Sequence, residues 1–493
     1  MKRWLPLLLA IATPLAAQTP LPQSSADGAA LTIYNQDFAV IRDHISLELK
    51  AGVNSIHFSG VTAALEPGSV MLRDCSGKRT PRVLEQNFRP PVTQEQMLTM
   101  FEGQTIDFQV NRGMESQTVR GKIIRAGHSS QPTPYAQAGP QGHEQPLIEV
   151  NGKLQFTLPG IPLFPSPTDS SIFHPQIAWQ LESEHAGSTT CELSYISNGM
   201  TWEAEYNVIA PVKGDAMDLI GWVTLANHSG KTFENARIKL MAGDVNKVQQ
   251  GGALPMARAV AMNAQAGQPS VTEKAFDEYH LYTLERPTTL PDGETKQVEF
   301  LHKSGVPSKR VYIYAGFTWN SPYGQYQPEY LLQQRDLGGS SQPKVWVMRE
   351  IKNTEQNGMG MALPKGRVRF YRQDEGGQLE FVGENTIDHT PSGETLRIYT
   401  GNAFDLTGER RRTNFKADSA QRYTDETVEV TVKNHRKEAV DVVIVERLFR
   451  GATWEITSKS APFNKRDSNT IEFPVNIPAD GAQTVIYTAH YTW

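Results

Sequence analysis

Cysteine is scarce: the 493 residues hold two. Without a CxxC pair, a cysteine-rich structural zinc site is excluded. Long apolar runs are missing as well. After the first twenty residues none approaches the ~20 needed to cross a bilayer as a helix. Positive charge is not in excess, since 48 Lys and Arg stand against 53 Asp and Glu, so no general attraction to nucleic acid follows. Helical periodicity is almost absent, and so are heptads. Catalytic signatures are missing in turn: there is no HExxH, no GxSxG and no GxGxxG in a strand-to-helix setting. Gly230-Lys231-Thr232 resembles the end of a phosphate-binding loop, but Leu225 stands where the required glycine would be, which leaves a β-turn. The twelve histidines are scattered, and neither His143 nor His389 has ligand-spaced neighbours. No metal and no cofactor are expected.

What the chain does have begins with an address. Met1-Lys2-Arg3 is basic, Trp4 to Ala16 is apolar, and Leu15-Ala16-Ala17 supplies small residues for cleavage. This reads as a signal peptide over residues 1–17 and predicts an exported protein of the periplasm or cell surface. Loss of Lys2 and Arg3 takes the mature net charge from −5 to −7. In an oxidising compartment Cys75 and Cys191 would either pair as a disulfide or stay as two separate buried thiols.

From Leu31 onward the pattern is strands and turns. Ile45, Leu47 and Leu49 alternate with polar residues, as do Trp202, Ala204, Tyr206 and Val208. Asn151-Gly152 sits between two short apolar runs as a hairpin turn. A short helix is expected over 94–100. Length alone suggests about three domains at roughly 150 residues each. The pattern divides the chain further, into a small β-domain at 29–90, a second at 91–175 with a Pro-rich connector, a central β-domain at 176–344 and a β-sandwich at 345–493. Within the central domain, 246–273 reads as a mobile loop. The fold class is all-β, several sandwiches or small barrels in tandem with very little helix.

Candidate sites are few. Arg410, Arg411 and Arg412 follow one another on an expected loop and offer an anion or partner site; salt bridging to nearby acids is the plainer alternative. Phe317, Trp319, Tyr323, Tyr326 and Tyr330 lie on an aromatic, Gly- and Gln-rich stretch suited to stacking on a sugar or partner. Asp388-His389 before Thr390-Pro391 reads as an acid/base pair or a self-bonded turn. Val485, Tyr487, Ala489, Tyr491 and Trp493 alternate to the C-terminus, either as the closing strand of a sandwich or as the end of an outer-membrane barrel. Glu203 with Glu205 and Asp374 with Glu375 are the carboxylates a hydrolase would need.

Leu193-Ser194-Tyr195, Gly199-Met200-Thr201-Trp202-Glu203-Ala204-Glu205-Tyr206 and Asn227 to Lys231 resemble the opening of the domain-of-unknown-function 4139 family. Leu363 to Arg369, His389-Thr390-Pro391, Gly401 to Asp405, Lys433-Asn434 and the Tyr491-Thr492-Trp493 end are similar to its later pattern, so the resemblance covers about 176–493. The stretch Leu31 to Val70 looks like the small β-domain that often precedes it. The family includes mucoidy inhibitor A-like exported β-proteins, some with a long coiled coil that this sequence lacks. The resemblance implies an exported β-protein of unassigned activity and transfers no catalytic residue. The expected function is a non-catalytic binding or structural module of the cell envelope. Its partner would be an envelope protein or polysaccharide, with no nucleic acid and no transmembrane helix. The alternatives are an envelope polysaccharide hydrolase using paired carboxylates and an outer-membrane β-barrel.

Overall fold

The structure is a computed structural model. It describes residues 23–24, 28–76, 81–112, 115–127, 145–166, 170–243, 245, 247, 271–276, 279–317, 338, 341–451 and 453–492. The expected signal peptide and nearly all of the 246–273 segment lie outside the described residues. The fold is all-β, with one α-helix at Gln94–Met100 among the described elements. That helix starts on a capping box: Thr93 accepts from the Gln96 N–H, and the Gln96 side chain accepts from the Thr93 N–H. No helix among the described residues is long and apolar enough to cross a membrane, and none of the described sheets closes on itself.

The chain divides into two compact, interleaved units. Met1–Trp202, Leu225–Ala259 and Leu281–Lys296 form the first, and Glu203–Thr224, Val260–His280 and Gln297–Trp493 the second. In the first unit, strands from 29–90 do not pair only among themselves. Gly52–Phe58 and Arg82–Arg89 flank Gln176–Ser183 antiparallel. Phe38–Leu49 pairs along its length with Gly187–Asn198. Period-two alternation fixes which side of each strand is apolar but carries no information about its partner, so the expected boundaries at 90 and 175 are crossed by ladders. Thr105–Arg112, Glu115–Arg125, Leu147–Val150, Lys153–Gln155 and Ile161–Leu163 form a separate five-stranded sheet. It has its own small core of Leu98, Ile106, Phe108, Ile123, Ala126 and Ile148. Its Asn151-Gly152 turn has positive φ at both residues, as a type I′ hairpin requires.

Cys75 and Cys191 are free thiols. Cys191 stands opposite Asp74 in the ladder, while the Cys75 N–H donates to the Thr190 carbonyl. Neighbouring ladder positions point to opposite faces, so one thiol is buried and the other exposed. Burial, reinforced by Asp74, pushes Cys191 from an ordinary 9.0 up to about 11. A thiol reagent is therefore expected to titrate one cysteine in the native protein and two after unfolding. As pH rises from 9 to 11, the unfolded thiol loses its proton while the folded one keeps it. The unfolding free energy then falls, by on the order of 2 kcal/mol. Denaturant midpoints of the wild type against Cys191→Ala, read across that window, check the sign.

Most of the second unit lies in one sheet, whose strands longer than two residues are β1 (Met200–Ala210), β2 (Ala216–Asn227), β3 (Glu294–Tyr314), β4 (Lys344–Lys352), β5 (Gly366–Gln373), β6 (Leu379–Ile387), β7 (Thr395–Asp418), β8 (Tyr423–Asn434), β9 (Val440–Arg447), β10 (Thr453–Lys459), β11 (Thr470–Ile477) and β12 (Ala482–Thr492). They run in the order β6-β5-β1-β2-β3-β4-β7-β8-β12-β10, with β9 joining β3 to β11. Val428, Val430 and Val432, Val442 and Ile444, Phe473 and Ile477, and Val485, Tyr487, Ala489 and Tyr491 meet in one core. Of the C-terminal alternation, Val485, Tyr487, Ala489 and Tyr491 thus form the buried face of their strand, and Trp493 lies outside the described residues.

Three asparagines, each at or just past a strand end, repeat one device. Asn227, Asn353 and Asn434 are all buried. Each shares its Nδ2 hydrogens among three backbone carbonyls, the last of them a proline's. For Asn227 these are Lys231 (2.9 Å), Leu290 (3.1 Å) and Pro291 (3.2 Å). For Asn353 they are Met361 (2.8 Å), Thr390 (3.4 Å) and Pro391 (2.9 Å). For Asn434 they are Glu438 (2.8 Å), Ile477 (3.3 Å) and Pro478 (3.0 Å). Each Oδ1 accepts a nearby backbone N–H, from Ser229, Gly360 and Arg436 respectively. A glycine shortly after each proline (Gly293, Gly393, Gly481) closes the clasp by a backbone bond to the same asparagine. Thr390-Pro391 belongs to the second clasp, and His389 Nδ1 accepts from the Lys365 N–H, so that motif is a bonded turn.

Candidate functional site

The Arg410–Arg412 run is not on a loop. It lies inside β7, paired with β8, and strand alternation sends Arg410 and Arg412 inward and Arg411 outward. Arg410 and Glu446 are 2% and 1% exposed at their side chains and meet at 2.9 Å. Glu446 also accepts from the Tyr487 hydroxyl at 2.5 Å, and Arg410 donates to the Gly338 carbonyl at 2.7 Å. Burial alone would lower the Arg410 pKa; the Glu446 charge, with Tyr487, outweighs it and moves it up. Glu426 takes Arg450 at 3.0 Å and Arg412 at 3.1 Å. Arg411 pairs with Glu429 at the surface. These arginines are engaged by acids of their own domain, which corrects the expectation of a ligand-binding loop. Polarity suggests a loop because buried, paired charges look like surface in a sequence. Phe317 packs on Phe449 (4.8 Å between centroids) and beneath Arg410, so it belongs to this interior network. Trp319, Tyr323, Tyr326 and Tyr330 lie outside the described residues.

Two of the four candidate carboxylates are occupied, and Glu203 and Glu375 are exposed at the surface. Glu205 accepts from Arg369 (3.0 Å), Thr224 and Gln297. Asp374 accepts from the backbone N–H groups of Gly376 and Gln378 and closes the turn between β5 and β6.

A different set of arginines surrounds a cavity of about 260 Å³ in the second unit: Arg310 on β3, Arg349 on β4, Arg372 on β5, and Arg436 beyond β8. Arg349 is buried and donates to Asp215 at 2.5 Å. Burial lowers its pKa, as do the neighbouring charges of Arg310 and Arg372, so three guanidiniums act on one another around a single carboxylate. Arg310 lies 3.6 Å from the same Asp215, and Arg372 donates to the Val212 carbonyl at 3.1 Å. Arg436 donates to the Tyr312 hydroxyl at 2.6 Å, stacks on that ring at 4.9 Å and lies 3.7 Å from Asp405. Four cationic groups against two anionic ones leave a positive surplus in a partly desolvated hollow, which favours an anion.

Irregular pairing shapes the walls. β4 steps from Lys344↔Thr407 to Val345↔Ala403, so β7 carries Phe404, Asp405 and Leu406 as an excursion. A second irregularity falls at Thr400, and a third at Val382 on β6. Such bulges re-aim side chains beside functional sites. Here they bring Val382, Thr400 and Phe404 to the cavity, with Phe404 96% exposed. Asn434 holds the turn that carries Arg436.

Sequence reading missed these arginines because they are single and far apart. A signal is nonetheless present. Arg349 shares its parity with Val345, Val347 and Ile351, Arg372 with Val368 and Phe370, and Arg310 with Tyr312 and Tyr314. An arginine on the apolar register of three strands marks an inward charge. Another hollow, of about 400 Å³, is lined by Ser341, Thr407, Glu409, Thr431 and Lys433 among others, and its one acid and one base give it no preference of sign.

Comparison with known proteins gives one result, which takes in the second unit and parts of the first. A family model described as a domain of unknown function (DUF4139) matches residues 191–493. No curated protein and no solved structure matches.

Proposed function

The chain belongs to the DUF4139 family, and from that premise we propose that it is an exported cell-envelope protein. In this reading it acts by binding rather than by catalysis and holds an anionic group of its ligand in the Arg310–Arg349–Arg372–Arg436 cavity. The observation that carries this is the surplus of guanidinium groups around a space large enough for one sugar- or amino-acid-sized group. Export is supported by the basic, apolar and small-residue succession of the first seventeen residues. A carboxylate or phosphate would meet the planar forks of Arg310 and Arg372 at the cavity, while Arg349, locked by Asp215, contributes field rather than contact.

The test uses two fluorescent polyanions, poly-glutamate and dextran sulfate, titrated against the mature chain. Arg310→Ser with Arg372→Ser should weaken binding at least tenfold, since charge-assisted contacts contribute ~1.5 to 3 kcal/mol each. Raising the salt should reduce what binding remains. Equal affinity of wild type and variant for both probes would remove the cavity as the site. A mature N-terminus at Gln18, read by mass spectrometry of the envelope fraction, checks the export reading.

A further inference from the structure

Resting on the anion-binding reading, the geometry points to a protein partner: we infer that the cavity and strand β6 together dock an extended, acidic segment of another protein. Its carboxylates would enter the arginine cavity and its apolar side chains would lie on the rim.

Two observations select a peptide over a sugar. The first is the rim. Leu379 is 50% exposed, Phe381 57%, Val382 49% and Phe404 96%. Val382 and Phe404 line the cavity, and Phe381 makes an edge contact with cavity-lining Tyr371 at 5.9 Å. An aromatic ring alone suits either ligand. Exposed leucine and valine beside it suit an apolar side chain and give a hydrated sugar nothing to stack on, and apolar exposure gathered in one place marks a protein-binding surface. The second is the edge. β6 ends its sheet and is laddered to β5; β7 passes close to its other side where Gly383 approaches the Thr400 carbonyl, and the stretch Leu379–Val382 before that approach is exposed. An extended peptide can add there as a strand, its main chain bonding to the edge while alternate side chains reach pockets on one face. Side chains two apart on such a strand point the same way, so a carboxylate every second residue meets the cationic side and the residues between meet the rim. Natural edges are usually blunted by charge or proline; β6 carries Glu380, but its next two residues are Phe381 and Val382.

The occupant is thus set by charge complementarity with four arginines and by an apolar rim that continues along the exposed stretch Leu379–Val382.

The experiment titrates the full mature chain with a twelve-residue peptide of alternating glutamate and valine. A lysine–valine peptide of the same length and a polyuronate oligomer are run in parallel. The acidic peptide is expected to bind, the lysine peptide not. Phe404→Ser and Val382→Ser, which remove the apolar rim without changing charge, should each weaken the acidic peptide at least fivefold and leave far-ultraviolet dichroism unchanged. Amide hydrogen exchange of 379–387 should slow in the complex. If the polyuronate binds in an arginine-dependent way and the acidic peptide does not, the protein-partner inference fails while the anion site stands. If the peptide binds but Phe404→Ser, Val382→Ser and the edge amides are all indifferent, docking on β6 fails. If none of the three probes binds, both readings fall together.

Discussion

Glu446→Ala is expected to lower the unfolding free energy by about 3 to 5 kcal/mol, the range for removing one partner of a buried ion pair. The substitution strands Arg410, 2% exposed, in an interior that water does not reach, and removes the acceptor of the Tyr487 hydroxyl. Burial, with the Glu446 charge next, raises the Tyr487 pKa well above its ordinary value, so this hydroxyl stays protonated and needs an acceptor at any working pH. The loss comes from the orphaned cation and not from any large net contribution of the pair. A control follows from that distinction. Arg410→Met, Glu446→Leu and Tyr487→Phe together should recover most of the stability, because shape-matched apolar groups leave no stranded charge and take a donor only from the Gly338 carbonyl. Urea midpoints at constant m decide it, and a triple variant as unstable as Glu446→Ala would show that the network contributes more than the avoidance of a stranded charge.

Asn434→Ala is the second large effect. It leaves the carbonyls of Glu438, Ile477 and Pro478 and the N–H of Arg436 without their side-chain partner. Buried groups left unsatisfied cost ~1 to 3 kcal/mol each, and with partial compensation the loss should be about 2 to 4 kcal/mol. Asn227→Ala should destabilise the first unit comparably, since the same three-carbonyl arrangement is lost. The two differ in a way that links fold to site. Asn434 fixes the turn bearing Arg436, so its loss should also lower polyanion affinity, while Asn227→Ala should leave affinity unchanged at temperatures where the protein is folded. Thermal denaturation paired with the poly-glutamate titration separates the cases. Equal affinity in both variants would detach Arg436 from binding.

Much of the fold was legible because alternation is a local signal. The helix at 94–100, the Asn151-Gly152 hairpin and the inward set Val485, Tyr487, Ala489 and Tyr491 were all readable from spacing alone. Pairing was not. That Phe38–Leu49 would lie against Gly187–Asn198 depends on partners more than a hundred residues apart. The site was harder for another reason. Three adjacent arginines draw attention, yet adjacency on a strand divides them between two faces, and those facing inward are neutralised by Glu446 and Glu426. The cavity arginines come from three strands and a turn, and only the register they share with valine and tyrosine gives them away. Bulges at Thr400, Val382 and 404–406 shift that register locally, and composition does not encode them.

The asparagine clasps bear on how such a chain can change in length. Each ties the residue at a strand end both to the turn just after it and to a proline–glycine turn that arrives much later, so the two ends of the intervening stretch are fastened to each other. Closing a longer stretch is inexpensive, about 0.6 kcal/mol for each doubling. Between Asn227 and Leu290 the strand Phe233–Ala242 is itself laddered to Ala30–Tyr34, so it is the connection from Ala242 to Val271 that can gain residues while the strands on either side keep their partners. In an engineer's vocabulary it is a permissive port: a reporter or an affinity tag spliced there should be carried without unfolding its host.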